Sequence, residues 1–331
     1  MAVYTTIDNP ELYFQTKLYT GTGTSTAFTL DGSENMQPDA VWIKQRAGTT
    51  NHKIFDSVRG VQEALQPNDV DAEATESNGL TAFGSDGFTL GDHGDLNASS
   101  ASQVAWCWKE SATAGFDIVS YAGTGSAKTE SHSLSAVPKL IIVKNRSAND
   151  AWQVYHGANT AAPETDYLVL NTTAATADAA DRWNDTAPTS SVFSLGDGVE
   201  VNTNTENYIA YCFSEKQGYS KFGSYVGNAN NDGPFIYTGF KPAFVMIKIT
   251  TAVNDWNVWD NKRDPINLAH IRFRTNTSEA ENPNSDGFDI LSNGFKIRNT
   301  YSEWNASETF IYMAFAEAPF VTSTGVPCNA R

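Results

Sequence analysis

The residues of this chain that could do chemistry are five histidines, three cysteines and a few carboxylates that recur at matching places. His52, His93, His132, His156 and His270 are scattered, with no His-x-x-x-His spacing and no Cys/His grouping, so no metal site is expected. Cys107, Cys212 and Cys328 lack ligand spacing and are too few for a disulfide framework. The first two stand in apolar strands and read as small buried hydrophobes. Asp56 and Arg59 recur as Asp260 and Arg263, but the corresponding positions between them hold His156 and Asn159, which argues against a shared catalytic role. The pair reads instead as a local ion pair tying a strand end to its loop, worth little if exposed. Glu110, Glu215 and Glu317 also recur, and one carboxylate at each place cannot supply a glycosidase's acid and base unless a second acid lies nearby. They are expected to accept hydrogen bonds or to pair with lysines where strands end. No Gly-x-Ser-x-Gly elbow or phosphate loop is present, and Gly21-Thr22-Gly23 and Gly123-Thr124-Gly125 lead into further strand, which excludes a dinucleotide site. No cofactor is expected, and the chain reads as a non-enzyme.

Aromatic side chains in polar loops could bind sugar, because flat rings stack on pyranose faces while Asn and Asp bond hydroxyls. Trp183 with Asn184 and Asp185, and Trp304 with Tyr301 and Asn305, are the candidate glycan-binding residues. The competing reading makes them loop anchors packed on a sandwich.

The elements that must position these residues come in three copies. Each copy opens on an aromatic strand and a glycine turn, Leu18-Tyr19-Thr20-Gly21, Ser120-Tyr121-Ala122-Gly123 and Ser224-Tyr225-Val226-Gly227. A proline-led apolar strand ending in lysine follows, from Pro38 to Lys44, Pro138 to Lys144 and Pro242 to Lys248. A shorter strand comes next (Lys53-Ile54-Phe55-Asp56, Gln153-Val154-Tyr155-His156, Asn257-Val258-Trp259-Asp260), and each copy closes on an aromatic strand ending in the recurrent glutamate. The period is 100 and 104 residues at the prolines and 105 and 102 at the glutamates. Residues 14–112, 113–217 and 218–322 are therefore read as three tandem modules, with 1–13 as an N-terminal anchor segment and 323–331 as a tail. The links are short, so the modules are expected to pack against one another.

Within each module, short β-branched and aromatic runs alternate with Gly, Pro, Asn, Asp and Ser clusters, which predicts seven or eight antiparallel strands and an all-β fold. Units of this size close their core by packing two sheets, so each module is expected to be a jelly-roll or lectin-like β-sandwich. The proline-led strand is apolar at consecutive positions and should be central, leaving the core at Lys44 and Arg46. Short loop helices are expected only at 60–65 and 173–183. Ser77-Asn78-Gly79, Ser85-Asp86-Gly87, Ser285-Asp286-Gly287 and Ser292-Asn293-Gly294 read as tight turns.

A net charge of −16 with no Lys/Arg run argues against nucleic acid as a ligand. No apolar run is long enough to cross a bilayer, and Met1-Ala2-Val3-Tyr4-Thr5-Thr6 lacks the character of a secretion signal, so synthesis in a cytoplasm without membrane insertion is expected.

Three stretches carry a resemblance: Thr5-Thr6-Ile7-Asp8-Asn9-Pro10 through Tyr13-Phe14-Gln15-Thr16, Phe55-Asp56-Ser57-Val58-Arg59-Gly60, and Ile311-Tyr312-Met313-Ala314-Phe315-Ala316-Glu317-Ala318-Pro319-Phe320. Together the chain resembles virion proteins of tailed bacteriophages, especially of marine and cyanobacterial hosts, often labelled tail-fibre-like. The resemblance implies a structural or host-attachment protein of the virion, made in the host cytoplasm, with head decoration or glycan binding as alternatives. It implies other virion proteins as partners, with a homo-oligomer, a trimer by preference, and a host surface glycan as a further candidate partner. It brings no catalytic residues to numbered positions.

Overall fold

The computed structural model describes residues 3–285 and 287–329. The chain is all-β and antiparallel, and one sheet order occurs three times. The opening strands Phe14–Thr20, Phe116–Ala122 and Ser220–Val226 each lie at a sheet edge beside the closing strands Ser102–Trp108, Asn207–Phe213 and Thr309–Pro319. Next come the proline-led strands Ala40–Gln45, Leu140–Asn145 and Phe240–Ile249, and then the short strands Lys53–Asp56, Gln153–His156 and Asn257–Asp260. The proline-led strands are central and buried along almost their whole length, as their unbroken apolar runs require. A smaller sheet of two or three strands accompanies each large one. The described residues hold nine, eight and eight strands in the three stretches.

Both faces of each large sheet are covered, by different partners. One face meets the small sheet of its own module and encloses a local core, such as Tyr19, Phe55, Phe88 and Cys107 in the first. The other faces of all three large sheets meet in a single aromatic core that draws on every module. Phe315 lies at its centre, with ring centroids 5.1 Å from Phe14, 5.8 Å from Trp108 and 5.8 Å from Phe213. Trp108, Phe213 and Phe315 hold the same register on the three closing strands, paired with Phe14, Phe116 and Ser220. The chain is thus a pseudo-threefold ring, and each aromatic at the axis contributes burial of a kind that costs about 3–5 kcal/mol to remove.

Helix is placed differently from the sequence expectation. Residues 60–65 form a turn leading to the strand Glu63–Ala64, and of 173–183 only Ala180–Trp183 is helical. Residues 173–176 instead cross to the third module, where Thr176 N donates to Thr250 O. Four-residue helices also occur just before every closing strand, at Gly94–Asn97, Val199–Asn202 and Ser302–Asn305. Each ends on a buried asparagine that holds the glycine turn: Asn97 Oδ1 accepts from Thr22 N, Asn202 Oδ1 from Thr124 N, and Asn305 Oδ1 from Asn228 N. The turn glycines Gly21, Gly123 and Gly227 are required by this closeness, since a Cβ there would lie 2.0–2.2 Å from the carbonyl oxygens of Ala98, Thr203 and Ala306. Of the four turn signals, Ser85-Asp86-Gly87 and Ser292-Asn293-Gly294 join hairpin strands and Ser77-Asn78-Gly79 is a turn, whereas Asp286 lies outside the described residues.

The N-terminal segment packs on the chain's own third module, on the residue that leads into it and on the tail that follows it. Tyr4 Oη donates to Gly239 O at 2.7 Å, Thr5 Oγ1 to Gln217 O at 2.8 Å, and Ile7 joins the shared core. Asp8 Oδ1 accepts from Ser323 N at 2.6 Å.

Candidate functional site

The recurrent polar residues converge on the three seams between modules. At the first seam Asp56 and Arg59 are fully buried, with Arg59 Nε 2.5 Å from Asp56 Oδ2. The expected local pair is present, and because it is buried the low worth of an exposed pair does not apply to it. The hydroxyl of Tyr211, from the second module, donates to the same carboxylate oxygen at 2.7 Å. Arg59 Nη1 continues to Glu73 at 3.0 Å, and Glu73 receives both Nε and Nη2 of Arg146 from the second module at 2.9 and 2.7 Å. The result is an alternating Asp–Arg–Glu–Arg chain that spans the seam, closed by bidentate geometry.

The seam between the third and first modules repeats this chain. Arg263 Nε lies 2.5 Å from Asp260 Oδ2, which also accepts from the indole of Trp106 at 3.0 Å. Arg263 Nη1 stands 3.7 Å from Glu281, and Glu281 receives Arg46 Nε and Nη2 at 2.9 and 2.8 Å. At the remaining seam the positions that match these ion networks are neutral. His156 takes the aspartate position, with Nε2 3.2 Å from Tyr312 O, and Asn159 Oδ1 accepts from Thr176 Oγ1 at 2.7 Å. Thr250 stands where the other seams have Arg46 and Arg146, and Met313 shares the register of Trp106 and Tyr211. The departures that broke the sequence pattern therefore all fall at one seam.

The lysines of the proline-led strands do not leave the core. Lys44, Lys144 and Lys248 are all fully buried, and burial without a contacting carboxylate lowers each ammonium to a pKa of about 8. Their donors go to backbone carbonyls: Gln45 and Gly48 for Lys44; Val70, Asn145 and Ala148 for Lys144; Thr173 and Asn254 for Lys248. Val70 and Thr173 belong to the preceding module, so two of these cages reach across seams. The indoles of Trp152 and Trp256 also reach back, donating to Gln66 O and Val169 O at 2.9 Å. His52 holds the matching place in the first module, its ring 5.9 Å from that of Phe273 in the third. Each module grips the one before it and the first grips the third, a head-to-tail contact whose rotation closes.

The closing-strand glutamates pair with other partners than those lysines. Glu215 binds Lys221 and Glu317 binds Lys241, both at 2.7 Å. Glu110 has acids beside it, and burial, then a hydrogen bond with Asp117, lifts its carboxyl to about 7. Asp117 is itself engaged, accepting from Ser133 N at 2.6 Å. Among the described residues no group of three or more His, Cys, Asp or Glu is placed to hold a metal ion.

The aromatic candidates for sugar binding are dispersed. Trp183 is 1% exposed and its indole donates to Asp166 O; Trp304 is 2% exposed and packs edge-on to Trp259 at 5.1 Å. Neither ring offers a face to a sugar, because both are the loop anchors of the competing reading. Asn305 is one of the buried turn-holding asparagines, leaving Asn184 and Tyr301 exposed at separate places. The asparagine latch escaped the sequence reading, although Leu96-Asn97, Val201-Asn202 and Trp304-Asn305 stand before each closing strand.

No curated protein matches the chain. One family matches residues 9–319, and this span takes in the first two modules, nearly all of the third, the seams and the last five residues of the N-terminal segment. The chain belongs to that family, described as a domain of unknown function (DUF7483).

Proposed function

We infer that the chain is a non-enzymatic structural component of a bacteriophage particle, associated with the tail or its fibres or with host attachment. The observation that carries this reading is the pseudo-threefold ring built within one polypeptide, in which the recurrent polar side chains are committed to seams. Two buried ion networks and a shared aromatic core favour a rigid body, as a particle part under load requires. A ring of three like modules also suits the threefold and sixfold surroundings of phage tails and heads, where symmetric contacts are the rule. The resemblance of the opening, middle and closing stretches to virion proteins points the same way.

The test is peptide mass spectrometry on purified particles of the phage that encodes the chain, followed by a cryo-electron-microscopy map. A fixed stoichiometry and ring-shaped density on the tail are the expected result. Density on the capsid would move the assignment to head decoration, and absence of the chain from particles would overturn the virion reading.

A further inference from the structure

The three modules differ at the loop that joins the small sheet to the proline-led strand. Phe28, Glu130 and Ile236 hold matching registers, and from them to Ala40, Leu140 and Phe244 the chain takes twelve, ten and eight positions. In the first module the longer loop binds the opening strand, with Gly32 N donating to Gln15 Oε1 at 2.8 Å. In the second, Ser133 N donates to Asp117. The matching residue of the third module is Lys221, which turns away to Glu215.

The shortened loop leaves a cleft of about 370 Å³ between the opening strand and the turn at Thr238-Gly239. This volume lies within the roughly 300–1,000 Å³ usual for small-ligand sites. Tyr4 forms one wall, its hydroxyl 3.1 Å from that of Tyr237. Tyr237 is 49% exposed, and Phe235, two residues along the same strand face, is 45% exposed. The polar wall is the Glu215–Lys221 pair with Gln217.

We propose that this cleft binds a neutral saccharide. A pyranose laid on Tyr237 would place its C–H face on the ring. Its hydroxyls, each donor and acceptor, suit a carboxylate and an ammonium side by side. The pair is already neutralised internally, so the wall selects against ions. The site deepens the attachment reading, on which it rests for its use on the particle, while the binding itself belongs to the isolated chain.

Saturation-transfer difference NMR on the intact chain tests it, with the methyl glycosides of glucose, galactose, rhamnose and N-acetylglucosamine as probes. At least one sugar is expected to receive saturation, with its binding weakened about tenfold or more in Tyr237→Ala and kept within about twofold in Tyr237→Phe. Tyr301→Ala, at the other exposed tyrosine, should leave binding unchanged. No transfer to any of the four sugars, or a signal lost in Tyr301→Ala but kept in Tyr237→Ala, would overturn the site. Particle mass spectrometry uses no sugar, so loss of the virion reading and loss of the saccharide site are separate results.

Discussion

Two seams of the ring carry buried chains of alternating charge, and the third joins the same surfaces with His156, Asn159, Thr176 and Thr250. Since one fold holds with either chemistry, the charges are not what makes a seam close. The apolar faces do that, and the polar groups need only satisfy one another. What differs is the penalty for error: a neutral seam that loses one partner leaves an amide or hydroxyl unpaired, whereas a charged seam leaves an ion without its counter-ion.

The largest effect expected from this contrast is that of Arg59→Ala or Arg263→Ala. Each strands a buried aspartate and should cost about 3–5 kcal/mol in urea unfolding, against about 1 kcal/mol for Asn159→Ala. Equal losses at the two kinds of seam would break the comparison. Acid should act the other way round, attacking the neutral seam. Burial lowers His156 to about 4 in the folded state, below the ordinary value of 6.5. A group depressed on folding binds fewer protons than in the unfolded chain, so its stabilisation is present above pH 6.5 and is lost as pH falls toward 4. The loss is roughly 3 kcal/mol. His156→Gln should flatten that part of the urea-midpoint profile, leaving the contribution of His52, which burial also depresses.

A smaller change is expected when the whole neutral set is moved to the first seam. Asp56→His, Arg59→Asn, Glu73→Thr, Arg146→Thr and Tyr211→Met together should stay within about 2 kcal/mol of the parent, because no charge is left stranded. A collapse comparable to Arg59→Ala would mean that the ions hold the seam after all. The smallest effect is the reverse graft: Thr176→Glu with Thr250→Arg should gain at most about 1 kcal/mol, read as a rise in melting temperature that salt diminishes.

The sequence made the modules legible because the repeat places aromatic strands, glycine turns and prolines in one order, and strand pairing within a module follows from alternation and turns. Relations between modules were not legible. Nothing in Lys144-Asn145-Arg146 says that the lysine is caged by Val70 O of the preceding module or that the arginine meets Glu73. A lysine ending an apolar strand ordinarily marks the surface, and here three carbonyls replace water. The aromatic candidates failed for a related reason: composition marks Trp183 and Trp304 as ring-bearing loops, but burial decides whether a ring has a free face. The open cleft at Tyr237 goes with the shortest of the three loops, which shows only when the registers are set side by side.

Residues 8 and 323 touch where the third module meets the first, the one seam whose modules are not consecutive in the chain, and the N-terminal segment bridges it by lying on the third module before entering the first. Mechanically the ring is a clasped bracelet with two hinged joints and one buckle. Tension applied through the segments before Tyr4 and after Ser323 would bear on the buckle, fastened by Tyr4 and the Arg46–Glu281 fork, and leave the two hinged joints slack.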